Sequence, residues 1–304
     1  MSGTVRGFRC RLCPRRCNVP RDGPEGRVAS LGLCGMGREL RIARAALHFW
    51  EEPPISGTRG SGAVFFTGCG LRCRFCQNYE ISRGEKPGRA VTPGELSGIF
   101  FSLIEQGAHN INLVSPSHFV PGIREALLRQ KLPVPVVYNS SGYERPETLR
   151  ALEGLADIYL PDFKYMDKRL AEGLSGAEDY PEAAAAAIGE MVRQVGEPVY
   201  DKDGMMVRGV LIRHLILPGH TKNSIAVLEA VAQAFPGIPV SLMAQYTPWG
   251  QAKEEGGIPG YPELSRGVTR REMEKVEDAL FELGLDGFVQ SRKAKGAAYI
   301  PEFE

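Results

Sequence analysis

Three cysteines, Cys69, Cys73 and Cys76, fall within eight positions of the stretch FFTGCGLRCRFCQNYEIS and give the spacing C-x3-C-x2-C. Thiolates are soft ligands that suit zinc and iron-sulfur clusters. Three of them are one short of the closed tetrahedral set of structural zinc, which ordinarily comes as paired C-x2-C elements. The plain reading is a zinc knuckle that borrows a distant fourth ligand. Three thiols on one tight loop suit a cubane 4Fe-4S cluster instead, with three irons held by protein and the fourth left open. Gly68 and Gly70 flank the first thiol and let the backbone turn closely around a bulky ligand.

The other four cysteines, Cys10, Cys13, Cys17 and Cys34, form C-x2-C-x3-C-x16-C, with Pro14 after the second and Gly35 after the fourth. Four thiolates close a tetrahedral set. A segment so short and poor in apolar residues cannot fold on burial alone, so bound metal must supply its folding free energy. Zinc and a second iron-sulfur cluster both fit, and the CRLCP turn tilts the choice slightly to zinc. The run HFWEEPP follows, and His48, Trp50, Glu51 and Glu52 are expected near the mouth of the main domain, without an assigned role.

Elements to position these residues are legible beyond residue 60. Strand-like runs occur at 62–68, 110–115, 134–140, 156–163, 208–217 and 238–246, with a shorter one at 285–291. Helical patterns lie between them at 92–107, 121–131, 146–154, 181–195, 222–234 and 269–284, the first opened by Thr92 before Pro93. Strand then helix, repeated six times, implies a parallel α/β sheet, because parallel neighbours need a crossover connection. A partial (β/α)6-type barrel over 59–304, with a Cys-rich metal-binding extension and linker over 1–58, fits best; a doubly wound open sheet is the alternative. In either architecture the chemistry belongs at the carboxyl ends of the strands, where Cys69 stands.

The chain is 304 residues long and carries 37 basic against 36 acidic residues, a balance that argues against binding polyanions by bulk charge. Nucleic acid is therefore not an expected partner. The opening MSGTVRGFRC has no apolar signal region and no run approaches a membrane span, so a cytoplasmic protein with no membrane partner is expected. An odd cysteine count without a secretion signal favours metal ligation over disulfides.

The segment CGLRCRFC, with its aromatic Phe75, resembles the C-x3-C-x-aromatic-C signature of the radical S-adenosylmethionine superfamily. Further segments (CPRRCNV, LHFWEEPPISG, HNINLVSPSH, LMAQYTP) make the chain similar to the pyruvate formate-lyase activating enzyme-like subgroup over nearly its full length. That resemblance implies a 4Fe-4S cluster on Cys69, Cys73 and Cys76, with S-adenosylmethionine on the open iron. It also implies one-electron, oxidoreductase chemistry that yields methionine and a 5′-deoxyadenosyl radical able to abstract hydrogen. Cofactor contacts implied by the matching segments are Phe75 and Asn78 on the cluster loop, Asn139 and Ser140 in YNSSGYE, Asp162 and Lys164 in DFK, and Arg213 in RHLILPG. Where the superfamily often has GGE the chain has SPSH, which nominates Ser115 and Ser117. Implied partners are an electron donor such as flavodoxin or ferredoxin and a substrate that is a protein, a glycyl-radical enzyme among the options, or a small molecule.

Against these stand plainer roles. Asp162 and Lys164 could be a strand-end ion pair, Arg213 a helix clamp, Tyr246 a buried hydrogen-bonded tyrosine, and His118, His214 and His220 structural residues. A non-catalytic metal-binding adaptor for RNA or protein is the rival from another class. The open three-thiol loop separates the two, since an adaptor needs closed sites only.

Overall fold

β-Branched and aromatic runs form the strands and amphipathic runs the helices that cover them. The structure, a computed structural model, describes residues 9–21 and 32–290. In chain order the first half comprises β1 (Leu40–His48), α1 (Pro53–Ser56), β2 (Ser61–Phe66), α2 (Tyr79–Arg83), β3 (Arg89–Val91), α3 (Pro93–Glu105), β4 (Ile111–Val114), α4 (Val120–Arg129) and β5 (Val136–Ser140). Next come α5 (Pro146–Leu149), β6 (Ile158–Pro161), α6 (Lys168–Ser175), α7 (Tyr180–Val195), β7 (Val199–Tyr200) and β8 (Met206–Val210). The last elements are β9 (Ile212–Leu215), α8 (Thr221–Ala234), β10 (Val240–Met243), α9 (Arg270–Glu282) and β11 (Gly287–Gln290). Residue 291 of the expected last strand and residues 22–31 of the extension lie outside the described residues.

An eight-stranded sheet runs β3-β1-β2-β4-β5-β6-β8-β7, and a three-stranded sheet runs β11-β10-β9. From β2 through β4, β5 and β6 to β8, and again from β9 through β10 to β11, every pairing is parallel. The two sheets join where Asp162, just past β6, bridges Arg213 of β9. β8 and β9 are the halves of the single run expected over 208–217. Gly209 stands before the break with φ +119°, and a Cβ there would lie 2.5 Å from Pro198 Cα, so the local backbone requires glycine. The wall β2-β4-β5-β6-β8/β9-β10 with its crossover helices is the partial (β/α)6-type barrel, with β11 added at one end.

Two layers of side chains hold it. Leu96, Phe100 and Leu103 of α3 and Ile123 and Leu127 of α4 pack on Val64, Phe66, Ile111 and Leu113. Helices α6 to α9 cover the other strands through Leu174, Ile188, Met191, Val227, Val231 and Val276. Each such fully buried aliphatic or aromatic side chain contributes roughly 1.5–3 kcal/mol. Thr92 and Thr269 close capping boxes with Glu95 and Glu272, which fixes where α3 and α9 begin.

β1 was not among the expected strands. It pairs antiparallel with β2 from Ile42↔Phe66 to His48↔Ser61, so the sheet draws on residues that composition groups with the extension. After β1 the chain turns through α1, whose Ile55 is fully buried among Val137, Ile158, Leu160, Met206 and Leu211 of the barrel interior.

Candidate active site

β2 ends at Phe66, and the chain leaves the sheet through Thr67 and Gly68 into the three-cysteine loop. Gly68 has φ +87°, and a Cβ there would stand 2.5 Å from Met36 Cγ and 2.7 Å from the Cys34 carbonyl oxygen. The three-cysteine loop and the extension therefore press together at a point where no side chain fits. Arg72 takes φ +54° at the apex between Cys69 and Cys73. Within the loop, the Leu71 amide lies 3.4 Å from Cys69 Sγ, and the Ser175 hydroxyl donates to Cys73 Sγ at 3.2 Å. Burial pushes the Cys69 thiol up and the Cys76 thiol up to about 12, so binding as thiolates requires an electrophilic partner to displace the protons.

Fit to a cluster follows from the donor set. The three cysteines are free thiols on one loop, backed by glycines. Among the described residues no three His, Cys, Asp or Glu side chains gather closely enough to hold a single metal ion. A cubane gives each of three thiolates its own iron, which this donor set can supply.

Phe75 is buried under the loop and tilts against Tyr246, ring centroids 6.0 Å apart. The Tyr246 hydroxyl donates to the Leu264 carbonyl, which is the structural alternative for that residue. Asn78 is the residue before α2, half-buried, its side chain not used as a cap. Ser115 follows β4 with φ +57° and its amide donates to the Asn139 carbonyl at 2.9 Å. The Ser117 hydroxyl donates to Glu144. The Ser140 hydroxyl accepts from the Gly142 amide. Glu144 is buried with Ser117 and Tyr138 as partners, and burial raises its carboxyl to about 7.

Strand ends β5, β6 and β9 bring four charged or amide side chains together. Lys164 Nζ lies 2.6 Å from Asp162 Oδ2, and Arg213 Nε lies 3.2 Å from Asp162 Oδ1. Arg213 also donates to Asn139 Oδ1 at 2.8 Å and to Glu51 Oε2 at 2.9 Å. Burial works against the Asp162 carboxylate, but Lys164 and Arg213 outweigh it and hold the carboxyl below its ordinary range. Burial likewise opposes the Lys164 ammonium, while Asp162 and, next, Cys73 hold it above its ordinary range. The lysine thus stands within electrostatic reach of the Cys73 thiol.

Glu51 was expected at the mouth and lies inside the barrel. One of its oxygens accepts from Asn112 at 3.0 Å and from Asn139 at 3.1 Å, while the other takes Arg213. Glu52 is fully buried beside it. His48 packs edge-on to Phe65, and burial lowers it to about 4. Trp50 remains half exposed. His118 bonds the Thr67 carbonyl, His214 the Phe163 carbonyl and His220 the Glu263 carboxylate, all structural placements.

The four-cysteine segment wraps over the loop. Cys10 pairs with Val19 and Asn18 through the backbone, and Arg16 and Asn18 take positive φ in the turn. Arg15 donates to the carbonyls of Gly70, Ser175 and Gly176, and Arg21 to those of His118 and Met36. Cys13 Sγ lies 3.3 Å from where a Gly70 Cβ would stand, so the two cysteine sets adjoin. Burial raises the Cys13 thiol to about 12 and shifts Cys34 in the same direction.

A family model described as the Radical SAM superfamily matches residues 63–230. The uncharacterized protein MJ0674 of Methanocaldococcus jannaschii is 28% identical over 286 residues, covering 91% of this chain and 75% of that protein. Among solved structures, a domain of pyruvate-formate lyase-activating enzyme from Bacteroides vulgatus is similar with 14% identity and a TM-score of 0.35, over 66% of this chain and 91% of that one. Methylornithine synthase (PylB) is similar with 17% identity and a TM-score of 0.47, over 73% and 68%. Among the described residues no helix is long and apolar enough to cross a membrane.

Proposed function

The chain belongs to the radical SAM superfamily, and from that premise we propose that Cys69, Cys73 and Cys76 hold three irons of a 4Fe-4S cluster whose fourth iron takes S-adenosylmethionine. When bound, the cluster supplies one electron to the sulfonium, so that carbon–sulfur cleavage gives methionine and a 5′-deoxyadenosyl radical that takes hydrogen from the substrate. The observation that carries this assignment is the three-cysteine loop at the end of β2, joined through Ser175 and Tyr165 to the strand end that bears the Asp162–Lys164 pair. Lys164 offers a desolvated ammonium to the methionine carboxylate, and Asp162 fixes its direction. Asn78 and Ser115 border the same edge, while Asn139 and Arg213 stand below it as supports. Phe75 and Tyr246 seal the floor of the loop against water.

The substrate proposed is a hydrogen donor of protein or small-molecule kind, with a glycyl-radical enzyme among the protein options and a flavodoxin or ferredoxin as reductant. Cys10, Cys13, Cys17 and Cys34 are proposed to hold a second metal centre, zinc or an auxiliary iron-sulfur cluster, with four thiolates closing the set. Anaerobic reconstitution with iron and sulfide, followed by dithionite and S-adenosylmethionine, is expected to give 5′-deoxyadenosine and methionine. Equal yield from Cys73→Ala overturns the assignment. Zinc alone, without 4Fe-4S absorbance after anaerobic purification, favours the adaptor.

A further inference from the structure

The barrel interior holds a carboxylate that belongs to no barrel strand. Glu51 comes from the linker after β1, and only 10% of its side chain is exposed. It accepts from Asn112 on β4, Asn139 on β5 and Arg213 on β9, so one side chain ties three strands at their inner faces. α1 follows at once and anchors the linker, with Ile55 sealed in the apolar interior and its carbonyl accepting from Asn110 at 2.7 Å. The carboxylate is thus held in place from both sides.

Its consequence runs through Arg213. The guanidinium divides its nitrogens among Glu51, Asn139 and Asp162, one nitrogen to each. Asp162 is shared in turn, one oxygen to Arg213 at 3.2 Å and the other to Lys164 at 2.6 Å. The long contact is with arginine and the short one with lysine. Charge counts the same way: Glu51 and Asp162 against Arg213 and Lys164 leave the network neutral. Glu52, next in sequence, is fully buried and neither of its carboxylate oxygens makes a hydrogen bond among the described residues, so Glu51 is the carboxylate that bonds Arg213 alongside Asp162. Without Glu51 the guanidinium keeps one hydrogen-bonded carboxylate, Asp162, and a planar five-donor fork takes a carboxylate through two parallel bonds when it can. Asp162 would then turn to arginine, and Lys164 would lose its orienting partner.

We propose that Glu51 is a positioning residue for S-adenosylmethionine binding: by occupying Arg213 it reserves Asp162 for Lys164, and so makes the linker between extension and barrel part of the binding site. This rests on Lys164 as a cofactor contact. The test uses the anaerobically reconstituted full chain and equilibrium dialysis of labelled S-adenosylmethionine, with iron content and thermal midpoint measured on each variant. Glu51→Gln keeps size and acceptor oxygen but removes the charge. It is expected to weaken binding about tenfold, the scale on which supporting residues act on a site, with iron content unchanged. Glu51→Asp is expected to recover part of that loss, which a role in mere packing would not predict. In the double variant Glu51→Gln/Arg213→Gln, loss should be well short of additive, because removing the guanidinium removes the competitor for Asp162. If Glu51→Gln binds as wild type while Lys164→Gln binds weakly, the inference fails and the cofactor assignment stands. If Lys164→Gln itself binds as wild type, the cofactor assignment of Lys164 fails. Additive losses in the double variant overturn the route through Arg213.

Discussion

Cys69, Cys73 and Cys76 leave the end of β2 and have a barrel behind them, whereas Cys10, Cys13, Cys17 and Cys34 sit on a segment whose described part before β1 contains no helix and only the Arg9–Pro20 and neighbouring backbone contacts. The first set is positioned by a strand end, by Phe75 buried beneath it and by Ser175 on a barrel helix. The second is positioned by arginines that reach from the extension to barrel carbonyls. A loop that must leave one coordination position open cannot rely on the metal to close it, so the scaffold has to supply the geometry. A closed set can let metal binding do that work.

The sharpest way to break this contrast is to remove thiols from each set. Cys73→Ala is expected to reduce 5′-deoxyadenosine to the level of a control without protein while the thermal midpoint changes little. Cys13→Ala/Cys34→Ala is expected to cost several kcal/mol of stability, on the order of what metal contributes to small cysteine-rich folds, read as a lowered midpoint and faster proteolysis ahead of β1. Next comes the contact between the sets. Gly68→Ala places a methyl against Met36 and the Cys34 carbonyl at a positive φ, and should destabilise by about 3 kcal/mol in thermal or denaturant unfolding.

A pH series tests the barrel side. Glu144 is raised by burial from the ordinary carboxyl range to about 7, so its neutral form adds stability that is fully present below pH 4.5 and is lost as pH rises through about 7. Wild type should lose on the order of 3 kcal/mol across that window, and Glu144→Gln should flatten the slope. The smallest effect belongs to the extension side: Arg15→Met removes donors to the Gly70, Ser175 and Gly176 carbonyls and should cost about 2 kcal/mol, measured by denaturant midpoint.

What the chain's letters reveal follows the range of the interactions. β2, β4, β5, β6 and β10 are legible because strands buried on both faces read as short runs dominated by β-branched, aromatic and aliphatic residues. β1, LRIARAALH, is an antiparallel strand with arginines and alanines in place of alternation, and β3 has three residues, so neither carries a period to detect. The split between β8 and β9 is marked only by Gly209. At the site, Asp162 and Lys164 are two residues apart just past β6 and are nominated by the resemblance of DFK to a family segment. Glu51 meets Arg213 across 162 positions, and the sole local cue is an acidic pair ahead of two prolines. The bond from the Ser117 hydroxyl to Glu144, 27 positions on, is without a local cue.

The linker's position inside the barrel has a consequence for how the chain folds. Glu51 is synthesised before any of its partners, 61 positions ahead of Asn112, 88 ahead of Asn139 and 162 ahead of Arg213. Loop closure over such separations is entropically costly, and folding slows as contacts become more distant in sequence. The barrel must close around a charged segment already in hand, and the last strand to reach it, β9, decides when that charge is neutralised. Refolding is therefore expected to show a slow final phase in which Arg213 meets Glu51, and a nascent chain ending before β9 carries its carboxylate without the arginine that balances it.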